Sequence, residues 1–245
     1  MDKKGFTLIE LLIAMVVGLV IMAAIYGMMN MGQQSSATVD RRVLTQQDVR
    51  AVLDLMAMEI RMASFNPRRT AATWGTVPTA CINPPKPIRK GIQIATPNSI
   101  LIAMDLWDGD SAKDPPEPDS IIGSPASNES ISYVYEQDPI DTTKWLIRRI
   151  VDCGNSAVIL GGSGSSTNVV NNNAGIPVFQ YFFIDTSTNV ERALTDAELL
   201  FDTNIAAIRR IRITIVADVE VQGRIQVSRR TYSTDVLVRN HVLSP

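Results

Sequence analysis

An unbroken apolar run near the N-terminus constrains this 245-residue chain more than any other feature. No residue from Leu11 to Met29 is charged, which is about the 20 residues that a helix needs to cross the hydrocarbon core of a membrane. Two lysines precede the run, so the positive-inside rule places the first five residues in the cytoplasm and exports the remainder. The run is longer than the apolar region of an ordinary secretory signal, and the processing site that we expect lies before it, between Gly5 and Phe6.

Glu10 is the only charge that interrupts the apolar stretch after Phe6. A carboxylate inside a membrane span costs about 2.5–3.5 kcal/mol on insertion scales. One interpretation places Glu10 at the membrane surface, hydrated and without a role. The other gives it a function, because a buried charge requires a partner.

The stretch GFTLIELLIAM, which begins at Gly5, resembles the processing and methylation motif of type IV pilins and of the pseudopilins of type II secretion. Gly5, Phe6 and Glu10 each match the motif. The resemblance implies that a prepilin peptidase cuts after Gly5 and methylates the new amine of Phe6. It also implies that Glu10 pairs with the Phe6 amine of a neighbouring subunit.

The helix is predicted to continue beyond the membrane, from Phe6 to Phe65, because the chain from Gln33 to Phe65 contains neither Pro nor Gly. At 1.5 Å per residue it would be about 90 Å long, and it would end before Asn66-Pro67. Apolar residues in steps of three and four predict a face that packs on a globular head. These residues are Val49, Val52, Met56, Ile60 and Ala63, widened by Leu55, Met58 and Met62; the charged residues, including Glu59, are expected on other faces.

The stretch RMASFNP, from Arg61 to Pro67, resembles the end of this helix in minor pilins of the PilW type, with Ser64 in place of a glycine. The final TDVLVRN resembles their terminal strand, and its pairing with the strand around IRRIRITI is part of that resemblance. The resemblance implies a minor pilin that helps to prime pilus assembly near the filament tip. Such a pilus would serve twitching motility and cell adhesion. The alternative is a J-type minor pseudopilin of type II secretion; a tip adhesin is a further hypothesis.

Short runs of apolar residues predict a β-rich head, so the fold class is α+β with an antiparallel sheet. The predicted strands are Ile92–Ala95, Ser99–Met104, Ser130–Tyr135, Lys144–Val151, Ala157–Leu160, Val178–Ile184, Arg210–Val216 and Ile225–Val238. The last is expected to be interrupted between Ser228 and Thr234, where its apolar residues change parity. Thr195 and Glu198 have capping-box spacing before a short helix, and Gly161–Gly175 has the composition of a flexible surface loop.

Four segments follow from these observations: a cytoplasmic leader at 1–5, a membrane and filament-core helix at 6–32, its amphipathic continuation at 33–66 and an exported head at 67–245. The chain would cross the inner membrane once, with its head in the periplasm, and would then reach the pilus at the cell surface. The implied partners are the prepilin peptidase, the other minor pilins and the major pilin, the assembly platform and the inner membrane.

Cys81 and Cys153 are the only cysteines. In an exported, oxidising environment a disulfide between them is the simplest interpretation, and it would be worth roughly 4 kcal/mol in the chain-entropy model. Two free thiols or a metal pair are the alternatives, although two Cys without a nearby His make a poor zinc site.

An acidic loop follows the second predicted strand and holds Asp105, Asp108 and Asp110 around a glycine. Its spacing does not fit an EF-hand, which needs oxygen ligands at alternate positions and a Glu at position twelve. The loop is therefore either a weak calcium site or a solvated turn shaped by Asp, Gly and Pro. No cofactor is expected elsewhere.

Enzymatic activity has little support, because His241 is the only histidine and no phosphate-binding glycine motif occurs. Five Arg-Arg pairs would suit nucleic acid if those in the strands lay on one face. The net charge of −2 argues against a nucleic-acid partner, since the acids slightly outnumber the bases. The sequence therefore predicts a structural subunit rather than an enzyme or a nucleic-acid binder.

Overall fold

A long helix, α1, runs from Leu8 to Arg61 and leads into the rest of the chain. The computed structural model describes residues 7–65, 73–74, 91–106, 121–122, 128–219 and 228–240. The 54 residues of α1 span about 80 Å at 1.5 Å per residue. The predicted start at Phe6 lies outside the described residues, and the predicted segment boundaries at residues 5, 32 and 66 stay predictions.

The predicted end of α1 at Phe65 is wrong, because the helix ends one turn earlier, with Met62 as its C-cap. Ser64 has a φ of 62°, in the left-handed region, which stops the helical path. The Ser64 N–H then donates to the carbonyl of Ala103 at 2.9 Å. The chain therefore leaves the helix in order to pair with the head.

Replacing Ser64 by glycine is expected to stabilise the protein by about 0.5–1 kcal/mol, because a side chain in the left-handed region is strained and glycine is not. Ser64→Ala is the matched control, since it keeps the Cβ and removes only the hydroxyl. Urea unfolding of the full chain in detergent measures both. A Ser64→Gly protein no more stable than Ser64→Ala would contradict the argument.

The strands that the structure describes are short and numbered in chain order. They are β1 (Thr73–Trp74), β2 (Ile92–Ala95), β3 (Ser99–Ala103), β4 (Ile121–Ile122), β5 (Ser130–Gln137), β6 (Trp145–Val151), β7 (Asn155–Gly161), β8 (Asn168–Val169), β9 (Phe179–Asp185), β10 (Val190–Ala193), β11 (Arg210–Val219) and β12 (Ser228–Leu237). Two short helices, α2 (Asn171–Ala174) and α3 (Asp202–Ala206), and a 3-10 turn at Glu198–Leu200 lie among them.

The first large sheet, sheet I, has the order β2-β3-β5-β6-β7 with every neighbouring pair antiparallel. Two consecutive predicted strands, Ser130–Tyr135 and Lys144–Val151, are confirmed as β5 and β6 and form a hairpin, with Ile131 opposite Val151 and Gln137 opposite Trp145. Consecutive strands are also neighbours in space, as expected of a meander. A separate parallel pair joins β1 to β4.

The second large sheet, sheet II, has the order β10-β9-β11-β12, and β8 also pairs with β11. The predicted pairing of the terminal strand with the arginine-rich strand is confirmed, because β11 and β12 pair antiparallel over ten residues each. The interruption predicted between Ser228 and Thr234 is wrong, since the register runs without a shift from Ser228 to Leu237. Tyr232, Thr234 and Val236 share one face, whereas Ile225 and Val227, which suggested the change of parity, lie outside the described residues.

The prediction of a flexible surface loop at Gly161–Gly175 is wrong, because this segment holds β8, α2 and the buried side chain of Asn171. The Val216 N–H donates to Asn171 Oδ1 at 2.8 Å, and Asn171 Nδ2 donates to the Thr214 carbonyl at 2.8 Å. The amide therefore continues the hydrogen bonding of β11 between its partners β8 and β9. The composition indicated flexibility, but the Asn171 side chain forms the hydrogen bonds with β11 that a neighbouring strand would otherwise form.

The C-terminal part of α1, from the buried Thr45 to Arg61, packs on the head, chiefly against β11 and β12, and also against β7. Its buried apolar residues are Val49, Val52, Leu53, Met56, Ala57 and Ile60, which join the cores of both sheets. The predicted stripe is confirmed in its main line, since Ala63 is also buried. Met58 was placed wrongly, because its side chain is 54 % exposed, and Glu59 was placed wrongly, because it is buried.

The α+β fold class is confirmed: a long apolar N-terminal helix precedes a β-rich head with antiparallel sheets. The capping box at Thr195 is also confirmed. The Thr195 N–H donates to Glu198 Oε2 at 2.8 Å, ahead of a single 3-10 turn rather than an α-helix.

Candidate functional site: the exposed N-terminal helix

The first turn of α1 is closed by Thr7 and Glu10, which form a capping box. The Thr7 N–H and Thr7 Oγ1 both donate to Glu10 Oε2, at 2.8 Å and 2.9 Å. In return the Glu10 N–H donates to Thr7 Oγ1 at 3.4 Å. A carboxylate in the first turn also suits the positive end of the helix dipole. Glu10 is exposed and held in one orientation, with both of these side-chain bonds on the same oxygen.

The segment that follows Glu10 touches nothing else in the described chain. Every residue from Thr7 to Ser36 is exposed, although most of them are apolar. The large apolar side chains that are at least half exposed include Leu11, Leu12, Ile13, Met15, Val16, Val17, Leu19, Val20, Ile21, Met22, Tyr26, Met28, Met29 and Met31. An uncovered surface of this size in a protein requires an apolar solvent or a partner.

α1 is long and apolar enough to cross a membrane. Among the described residues it is the one helix that meets this criterion of length and composition. The apolar window of α1 that meets this criterion is wholly uncovered, in contrast to the core helix of a soluble protein, whose apolar residues are buried. The apolar surface of this segment therefore suits the hydrocarbon of a bilayer, and it also suits packing against other apolar helices.

Residues 1–26 match the prokaryotic N-terminal methylation motif. The match covers the basic leader, the junction at Gly5 and Phe6, Glu10 and most of the apolar run. It supports a type IV pilin-like subunit that is processed by a prepilin peptidase and anchored in a membrane near its N-terminus. No curated protein and no solved structure matches the chain.

The predicted cleavage and methylation residues, Gly5 and Phe6, lie outside the described residues. Glu10 is the predicted assembly residue that the structure describes. The capping box holds the Glu10 carboxylate in the first turn of α1, which is compatible with both interpretations of Glu10. Its pairing with the Phe6 amine of a neighbour stays a prediction.

A second apolar stripe lies on the docked part of α1, on the side that faces away from the head. Leu44, Met58 and Phe65 are 53 %, 54 % and 37 % exposed, and Leu55 and Met62 are partly buried. Leu55 and Met58 are three positions apart and so are neighbours on the helix surface, whereas Met62 is the C-cap and packs partly on the core, and Phe65 lies beyond the end of α1. Exposed apolar surface therefore continues along α1 beyond the uncovered segment that ends at Ser36.

The buried Glu59 is a residue that the sequence analysis misplaced. Arg149 Nη2 donates to Glu59 Oε1 at 2.6 Å, and the hydroxyl of Tyr133 donates to Glu59 Oε2. Burial and the hydrogen bond to Glu59 raise the pKa of Tyr133 above its ordinary value, and the hydrogen bond to Glu59 raises the pKa of Arg149. This ionic contact fixes α1 to β5 and β6 of sheet I. The steps of three and four that join Met56, Glu59 and Ala63 were the signal available in the sequence.

Most of the strand arginines lie in ion pairs within the head. Arg148 pairs with Glu136, Arg210 with Glu191 and Asp235, and Arg229 with Asp218. Side-chain hydrogen bonds from arginines lower the pKa of Glu191 and of Asp235. The Arg210 guanidinium also lies 3.8 Å from the centre of the Phe182 ring. Several of the positive charges that suggested nucleic acid are thus locally balanced, while Arg68 and Arg69 lie outside the described residues.

The other predicted site residues are only partly described. Asp105 is buried directly after β3, whereas Asp108 and Asp110 lie outside the described residues. Within the described part of the chain no group of three or more His, Cys, Asp or Glu could hold a metal ion, and calcium at this loop stays untested. Cys153 is disulfide-bonded, and its predicted partner Cys81 lies outside the described residues.

Proposed function

We propose that this chain is a minor pilin of a type IV pilus, held in the inner membrane until it joins the filament and helps to prime assembly near the tip. The observation that carries the proposal is the exposed apolar half of α1, which begins with an oriented carboxylate inside a methylation motif. Such a segment suits storage in a bilayer and later packing among other pilin helices.

The chemistry of the first residues explains how cleavage would prepare the chain for assembly. A cut after Gly5 gives Phe6 a new amine, and methylation leaves that amine able to carry a positive charge. Glu10 of a neighbouring subunit then gains a cationic partner within apolar surroundings, where an unpaired carboxylate costs about 2.5–3.5 kcal/mol. The capping box holds the Glu10 carboxylate at the helix end, where such an amine would lie.

Glu10→Ala is expected to insert in the membrane and to be cut, but to reach sheared filaments at about one tenth of the wild-type amount or less, since a charge-assisted pair is lost. Immunoblots of membrane and filament fractions measure both steps. Ile9→Ala, the neighbouring apolar truncation, is the control and is expected to assemble normally. Undiminished incorporation of Glu10→Ala would return Glu10 to a purely capping role.

The PilW-type assignment within this proposal is supported by Ser64. Its left-handed φ of 62° is the conformation that glycine adopts without strain, and the PilW-type ending has glycine at this position. Loss of twitching on deletion of the gene would support the pilus. Loss of protein secretion instead would assign the chain to the J-type pseudopilins of type II secretion.

A further inference from the structure

The outer edge of β12 is an open strand edge that nothing in the described chain covers. In the antiparallel pair with β11, the Val238 N–H donates to the Arg209 carbonyl at 2.9 Å. Main-chain groups in such a ladder point alternately toward and away from the partner strand. The main-chain groups that point away from β11 are therefore those of Arg229, Thr231, Ser233, Asp235 and Leu237. No main-chain hydrogen bond from the described residues reaches these groups.

The other outer strands of the two large sheets differ from β12 in length or regularity. β2 and β10 have four residues each, and the register of β2 shifts between Ile92 and Ile94. The pairing of β7 shifts between Ile147 and Arg148. Short or irregular edge strands are a common protection against unwanted pairing. β12 has ten residues, no proline, no lysine and no register shift.

The side chains along this edge favour a partner strand with acidic residues at one end. Arg229 and Arg230 lie near the start of β12 and are both exposed. Arg229 pairs with Asp218, while Arg230 forms no ion pair with any described residue. Farther along, Tyr232, Thr234 and Val236 are partly or fully buried on the face shared with the core. An added strand would thus meet an apolar face in its middle and positive charge at one end.

We propose that the β12 edge binds an extended, acidic-ended segment of another protein, which adds to sheet II as an antiparallel strand beyond β12. Main-chain hydrogen bonds to the five outward-facing residues supply the binding free energy, and the alternating side chains supply the specificity. This binding surface lies in the head and does not depend on processing at Gly5 or on pairing by Glu10.

The test uses the full chain in detergent and the synthetic peptide TITVTVTEE, labelled for fluorescence anisotropy. Its valines and isoleucine would lie beside the apolar face, and its glutamates beside the two arginines. Saturable binding is expected, and the peptide TITVTVTKK is expected to bind about tenfold more weakly because like charges face each other across the strands.

Ser233→Pro is the decisive variant, because it removes an N–H that points away from β11 and leaves the native pairing intact. It is expected to abolish binding of TITVTVTEE, while Ser233→Ala, which keeps the N–H, binds like the wild type. Circular dichroism shows whether Ser233→Pro retains its sheet. Arg230→Glu keeps the main chain unchanged and is expected to reverse the preference toward TITVTVTKK.

Absence of saturable TITVTVTEE binding, or equal binding by Ser233→Pro and Ser233→Ala, would overturn the proposal. A wild-type chain that dimerises in sedimentation experiments, and that Ser233→Pro keeps monomeric, would assign the edge to a second copy and would also overturn it.

Discussion

Gly5→Val is expected to leave the chain uncut and anchored in the membrane, with its full leader attached. The predicted cut after Gly5 lies within the methylation motif at residues 1–26, and a β-branched side chain there restricts the backbone that the peptidase must accommodate. Mass spectrometry of the N-terminus measures the result. The wild type is expected to begin with methylated Phe6, and the variant with the uncut leader.

Asp2→Asn is the matched control for this experiment, because it changes the leader without touching the junction. It is expected to be cut normally. Detection of a methylated Phe6 terminus in Gly5→Val would contradict the assigned cleavage site. The same variant also separates cleavage from assembly, because an uncut chain lacks the amine that Glu10 is proposed to bind, whereas Glu10→Ala keeps the amine and lacks the carboxylate.

The N-terminal helix could be predicted from sequence because each of its determinants is local. Chain composition, the absence of Pro and Gly from Gln33 to Phe65, and spacing in steps of three and four specify a helix without reference to distant residues. The end of the helix was harder to predict, since it depends on Ser64 pairing with Ala103, a strand residue about forty positions later.

The assignment of helix faces failed for a physical reason. α1 has apolar residues both toward the head and away from it, so spacing alone placed the exposed Met58 with the core residues. A chain that must contact its own head and other helices carries two apolar faces. The exposure of Met58 on the far face fits the contacts with other helices that we propose.

The head could be predicted only as a set of strands. Short apolar runs located β3, β5 and β6, and alternation located β11, whose isoleucines lie in the core. The role of Asn171 depends on Thr214 and Val216, some forty residues away, and no local pattern indicates such a contact. Glu59 is similar, because its two partners, Tyr133 and Arg149, lie on different strands far along the chain.

The contact between Glu59 and Arg149 gives the largest stability effect that we expect in the head. Glu59→Ala leaves the partly buried Arg149 guanidinium and the fully buried Tyr133 hydroxyl without their acceptor. Arg149 keeps 27 % of its side-chain surface exposed, so solvent screens part of the loss, and the expected cost is about 2–4 kcal/mol. Urea unfolding of the full chain in detergent measures this change in the free energy of unfolding.

The ion pair between Arg148 and Glu136 supplies a matched control, because Arg148 directly precedes Arg149 on β6. Its side chains are 22 % and 39 % exposed, and Glu136→Ala is expected to cost less than about 1 kcal/mol because water screens the pair. The double variant Glu59→Leu, Arg149→Met removes both buried charges and is expected to recover most of the stability lost by Glu59→Ala. Equal destabilisation by Glu59→Ala and Glu136→Ala would show that burial adds nothing to the contact. α1 would then be held on the head by its apolar face alone, centred on Met56 and Ile60.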